Sequence, residues 1–201
     1  MKETLFTKSD KTRRFIIEKT APVFNKNGVA GTSLSDLTSA TGLTKGSIYG
    51  NFKNKDDLAL AAFQYSVDNL THYLDRETAK AATPVWKLLA IPDAYRKLYN
   101  PMITYGGCPI LNTATEADDT HKALSDLAVQ AIETFKATFI DLVNQGIAAE
   151  EIDQSVNPEK FAETALATIE GGLMLSKLTG KKSYLMNALA QVEDNIRLMA
   201  S

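Results

Sequence analysis

Apolar residues recur at three- and four-residue spacings along most of the chain, and the strict alternation of a half-buried strand is scarce. This pattern predicts an all-α protein. A first helix is expected to start at Ser9, a good N-cap, and to run to Asn27 before Gly28, with Ile16, Val23 and Phe24 on one face and Thr20 between them. Pro22 lies inside it and cannot donate to the backbone ladder, which predicts a kink or a stop near residue 21. Thr32 or Ser33 then caps a short helix ending at Thr41, because Gly42 suits the left-handed residue after a helix. Asp36 falls in its first turn, where negative charge is favoured. Thr44 caps a second short helix over residues 45–51, and Asn54 caps a long one that carries Leu58, Ala61, Ala62, Tyr65 and Leu70 to about Thr78. Pro84 opens the next helix, and Pro92, Pro101 and the Tyr105–Pro109 stretch are expected to cut this part of the chain into short pieces. Three helices close the chain, over about 119–146, 158–179 and 183–199.

Two short helices around a glycine-containing turn form a helix-turn-helix when both share a core with the helix before them. Leu34, Leu37, Leu43, Ile48 and Phe52 are spaced to provide that core over a floor of Ile16, Val23 and Phe24. The second short helix is then left with Lys45, Gly46, Ser47, Tyr49, Gly50 and Asn51 facing outward, small and polar enough to enter a DNA major groove. Patterning alone leaves a second reading open, a helical hairpin inside any all-α protein, with Lys45 and Lys53 merely solvated.

The bulk numbers narrow the field. The chain has 201 residues, 44% hydrophobic and 23% charged, ordinary for a globular protein with a sizeable core. No run approaches the roughly 18 consecutive apolar residues of a membrane span. The first ten residues lack the apolar centre of a signal peptide, so a cytoplasmic location is expected. Cys108 is the one cysteine, which excludes an internal disulfide and a cysteine-built zinc site; with His72 and His121 the only histidines, neither a metal nor a cofactor is expected. The net charge of -2 argues against nucleic acid until it is divided along the chain. Residues 1–60 carry ten Lys and Arg against six Asp and Glu, and residues 61–201 carry twelve against eighteen. A basic N-terminal part joined to an acidic body suits a reader of phosphate-rich surfaces.

From Phe24 and Gly28 through Thr32-Ser33-Leu34-Ser35-Asp36-Leu37 and Gly42-Leu43-Thr44-Lys45-Gly46-Ser47-Ile48-Tyr49 to Lys55-Asp56-Asp57-Leu58, the chain resembles the N-terminal domain of tetracycline-repressor-like (TetR) regulators. The resemblance covers roughly residues 9–60, with turn, recognition helix and following helix start in register. It implies a helix-turn-helix domain over residues 1–54 and a helical ligand-binding and dimerisation domain over 55–201. It also implies a repressor that meets double-stranded operator DNA as a homodimer and answers to a small molecule. Lys45, Gly46 and Ser47 match the start of the recognition helix, and their chemistry fits base edges. Tyr49 matches a phosphate-contacting tyrosine, and Asn51 a polar position beside the backbone. Lys55, at the start of the long helix, is placed to clamp a phosphate; Thr32, Ser33 and Thr44 can bond phosphates while capping. The chain departs from the pattern at Gly50, Thr38 and Pro22.

In the body, Trp86, Tyr95, Tyr99, Met102, Tyr105, Cys108, Asn112, Phe135, Phe139 and Met174 are candidate ligand-lining residues, each also readable as plain core. The dimer is expected through residues 121–146 and 158–178, where Ala162, Ala165, Ala167, Gly171 and Gly172 keep one surface thin and Leu166, Ile169, Leu173 and Leu175 supply apolar area. Rival readings stay open: a redox-sensing regulator acting through Cys108, a thiol enzyme using Cys108 and His121 beside Asp118 and Asp119, and a helical module whose helix-turn-helix contacts protein.

Overall fold

The computed structural model describes residues 7–200, and among these there are nine α-helices and no β-strand. They are α1 Lys8–Gly31, α2 Leu34–Thr41, α3 Lys45–Tyr49, α4 Lys55–Thr78, α5 Pro84–Thr104, α6 Pro109–Ala117, α7 Lys122–Ala148, α8 Pro158–Thr179 and α9 Ser183–Met199. The first helix begins earlier than Ser9 suggests, because Thr7 and Asp10 form a reciprocal capping box. Pro22 does not stop it. The departure from helix falls instead at Gly28, where φ is +71° and the chain redirects α1 toward α2.

The prolines of the body also fail as punctuation. Pro92 and Pro101 both lie inside α5, which runs unbroken for 21 residues rather than in short pieces. A proline removes one backbone hydrogen bond. Here, burial of Leu88, Leu89, Ile91, Ala94 and Tyr95 against α4, α7 and α9 outweighs that loss. The break does come at Gly106 and Gly107, both at positive φ, before Pro109 opens α6.

Two apolar cores result. The smaller gathers Ile16, Ala21, Phe24, Leu37, Ile48 and Phe52 from α1–α3 and the turn after them, together with Leu58, Ala59 and Ala62 from the first turns of α4. Val23, expected within it, is only half-buried, and Thr20 and Ala21 take the inward positions. The larger core fills the body between the rest of α4 and α5–α9. α4 belongs to both, so the packing boundary lies inside this helix and not at residue 54.

α8 and α9 fold back on each other across Gly180. Gly172 allows the close approach: a Cβ there would meet Ala188 Cβ at 2.5 Å and Leu185 Cα at 3.2 Å. Of the residues expected at the dimer face, Ala162, Ala165, Ile169, Gly172 and Leu173 point into the chain's own core. The outward face of α8 carries Ala167, Gly171, Met174, Leu175 and Leu178.

Candidate nucleic-acid interface

The residues between α1 and α4 form a compact unit built by local chemistry. Ser33 and Asp36 cap α2 reciprocally: Asp36 N donates to Ser33 Oγ at 3.2 Å and Ser33 N donates to Asp36 Oδ2 at 2.8 Å. The bonds from the Ser33 hydroxyl and backbone hold the Asp36 carboxyl below its ordinary range. Gly42 ends the helix at φ +69°, its N–H donating to Thr38 O at 2.8 Å. Thr44 Oγ1 then accepts from Ser47 N at 3.2 Å and starts α3. α3 is a single helical turn anchored by Ile48, which is fully buried.

That anchor sets the orientation of the rest. Thr44, Lys45, Gly46 and Ser47 are exposed or half-exposed on the outer side, Tyr49 is half-buried, and Ser33 is exposed beside them at the start of α2. The remaining expected contacts are occupied within the protein. Thr32 is buried, and its hydroxyl donates to Gly28 O across the redirected end of α1. Asn51 Nδ2 donates to Ser47 O at 2.9 Å, closing the end of α3. Lys55 turns inward, its Nζ donating to Val29 O at 2.7 Å and Thr32 O at 3.1 Å. It neutralises the carbonyl end of α1 and stitches α1 to the start of α4.

Arg13, which the sequence did not single out, braces the same unit from the other side. Its guanidinium lies 4.0 Å over the Phe52 ring and donates to Asn51 O at 2.5 Å. No local pattern marks it, since the contact joins residues 38 positions apart. The cap that starts α4 is Asn54, whose Oδ1 accepts from Asp57 N at 2.8 Å. Replacing Asn54 by Ala is expected to lower stability by about 1 kcal/mol in urea unfolding, while Lys53→Ala, on an exposed neighbour, leaves it within a few tenths.

The body candidates do not converge on one cavity. Tyr95, Tyr99, Cys108, Phe135 and Phe139 are buried in the core, and Met102 and Tyr105 border a cleft against α1. Trp86 and Met174 are surface residues, 60% and 45% exposed. Asn112 serves as a strut, its Nδ2 donating to Asn25 O at 3.0 Å, Asn25 Oδ1 at 2.9 Å and Gly106 O at 2.8 Å.

Cys108 is 1% exposed, and burial, then the nearby Glu170 carboxyl, push its thiol well above the ordinary range. A thiol in that state is a poor nucleophile. His121 caps α7, accepting from Leu124 N at 3.3 Å, and the nine-residue α6, about 14 Å long at the helical rise, lies between it and Cys108 in the chain. The geometry offers the thiol-enzyme and redox readings no support. Among the described residues no cluster of His, Cys, Asp or Glu has metal-binding geometry, and no helix is long and apolar enough to cross a membrane.

Known proteins match both parts of the chain. Residues 16–62 fit the family model described as bacterial regulatory proteins, tetR family, and residues 84–192 fit the tetracyclin repressor-like C-terminal domain. The chain belongs to the TetR family of transcriptional regulators. Over the whole length, this TetR-family protein is similar to a solved TetR-family regulator from Cytophaga hutchinsonii, with 42% identity, a TM-score of 0.90, and 99% and 98% of the two chains covered. A second, from Chloroflexus aurantiacus, gives 35% identity and a TM-score of 0.91, covering 96% and 98%. The HTH-type transcriptional repressor DhaR of Mycobacterium sp. is 22% identical over 180 residues, 90% of this chain and 89% of that protein. The helix-turn-helix is thus a DNA-binding one, and the all-α body behind it is the family's C-terminal domain.

Proposed function

We propose that this regulator represses transcription as a homodimer that lays one α3 in each of two successive major grooves of a palindromic operator, and that a small molecule releases it. The observation that carries the reading is the division within α3: Ile48 is fully buried while Lys45, Gly46 and Ser47 stand outward. Lys45 can reach guanine acceptors, Ser47 either donor or acceptor edges, and Gly46 lets the helix approach closely. Thr44, Ser33 and Tyr49 border this surface and suit phosphate oxygens. Thr32, Asn51 and Lys55 shape the unit instead of touching DNA.

The dimer reading is supported by the outward face of α8 with its neighbour α7. Gly171 sits mid-helix with nothing within 4 Å of where a Cβ would stand, so no contact within the chain calls for a glycine there. It lies in line with exposed Met174 and Leu178, and α7 adds exposed Val129 and Ile132. A second α8 crossing at Gly171 would use both the missing side chain and the apolar flanks.

Selection of bound duplexes from a random pool tests the reading, and a palindromic consensus is the expected outcome. On that duplex, Lys45→Ala combined with Tyr49→Ala is expected to weaken binding more than about tenfold and, by removing one positive charge per protomer, to reduce the salt slope by at most about one per half-site. Unchanged affinity and slope in the double variant would remove α3 from the interface.

A further inference from the structure

Between the DNA-reading unit and the body lies a half-open cleft of about 370 Å³, walled by α1, α4, α5 and the loop into α6. Its floor is apolar, from Ala21 and Pro22 of α1, Leu70 of α4, and Leu98, Pro101 and Met102 of α5. Tyr65, Tyr73 and Tyr105 add three aromatic faces, and Ser66 and Asn69 supply polar groups on the α4 wall. Among the described residues no cation lines it. Its charged lining residue, Glu18, is paired with Arg14 at 2.8 Å, outside the lining.

The cleft touches the fastening between the two parts. Asn25, which lines it, donates through Nδ2 to Tyr105 O at 2.8 Å and Gly107 O at 3.0 Å, and both of those residues also line it. Asn112 grips Asn25 from α6, and Lys177 of α8 donates to Asn112 Oδ1 at 3.2 Å. Gly106 packs so tightly on this point that a Cβ would meet Asn25 O at 3.1 Å. One chain of bonds therefore runs from α1 through the α5–α6 loop to α8, along the edge of the cleft.

We propose that this cleft is an effector site for a flat, uncharged aromatic molecule, and that its occupancy weakens operator binding by moving α1 against the α5–α6 loop. The volume falls at the small end of ligand pockets, enough for two or three fused or linked rings. Tyrosine faces favour an aromatic guest in offset or edge-on contact. A lining with no cation disfavours an anion, which would lose its hydration with nothing in return. α1 shares its core with α2 and α3, so a guest that spreads it from α5 carries α3 along.

The inference rests on the chain being an effector-governed operator binder, and the two are tested separately. Fluorescence titration with N-phenylnaphthylamine, an uncharged aromatic probe, is expected to show one site per protomer. Asn69→Trp, an exposed change at the mouth, and Leu98→Trp, on the opposite wall, are each expected to weaken it at least about tenfold, with helical content unchanged by circular dichroism. The sulfonated analogue of the same probe is expected to bind more weakly to the wild type. Saturating probe is expected to weaken the wild type's hold on its selected duplex at least about tenfold. Failure of the wild type to bind the probe, equal binding by both variants, tighter binding of the sulfonate, or undiminished operator affinity with probe bound would each overturn the proposal. Absence of duplex binding without any probe would instead defeat the operator reading, and the titration would still decide whether the cleft is a site.

Discussion

Glu170→Gln is expected to stabilise the protein by about 3 kcal/mol near pH 8 and by almost nothing near pH 4.5. Glu170 sits on α8 with its Oε1 accepting from Cys108 Sγ at 3.2 Å, while its Oε2 is buried without a hydrogen-bond partner. Burial raises its carboxyl from the ordinary 4.5 to about 7, and the Cys108 bond offsets only part of that. Tyr95, a buried neighbour, gives no relief, being itself pushed up by burial and then by Glu170. Proton counting sets the sign. Below about pH 4.5 the acid is protonated in both folded and unfolded chains and stability is unaffected. As pH rises toward 7 the unfolded chain releases its proton first, and the folded state loses about 1.4 kcal/mol per pH unit until its own proton leaves. Glutamine keeps the shape and cannot ionise. Urea unfolding of both proteins across a range from about pH 4.5 to about pH 8.5 checks this, and a gap independent of pH would refute it.

The second large effect concerns two neighbouring glycines with opposite tasks. Gly171→Trp is expected to leave a folded protein that sediments as a monomer and binds the selected operator about a hundredfold or more weakly, because a dimer holds two half-sites at high effective concentration. Open space surrounds the position where its Cβ would stand, so the fold accommodates the change. Gly172→Leu is expected to disrupt the fold itself, since its Cβ would overlap Ala188 and press on the backbone of α9. A Gly171→Trp variant that sediments and binds like the wild type would remove the outward face of α8 as the dimer contact.

Legibility in the sequence tracked how local the cause was. Gly42 and the Thr44 cap act over three or four residues, so the ends of α2 and the start of α3 could be read directly, and the family resemblance rested on the same stretch. Ile48 followed from spacing. The prolines misled for the converse reason: the rule for Pro92 is local, but α5 is held together by burial against three helices distant in sequence. Lys55 suits a phosphate clamp by its place in the sequence, and nothing nearby in sequence reveals that Val29 and Thr32 present their carbonyls to it. Glu170 gave no signal, since a glutamate among small helix residues resembles a surface position. Of the cleft's lining, the sequence offers only Met102 and Tyr105. Its fastening, Asn25 to Tyr105 and Gly107, joins positions about 80 apart.

The membership of α4 in both cores has a mechanical result. At 1.5 Å per residue its 24 residues make a rod of about 36 Å, rooted among α5 and α7 at one end and fused to α1–α3 at the other. A tilt of about 5° at the rooted end displaces the far end by about 3 Å, and in a symmetric pair both tips travel, so that the gap between them changes by up to twice as much. Against a groove repeat of about 34 Å that is a large mismatch, and it arises from a tilt of only a few degrees.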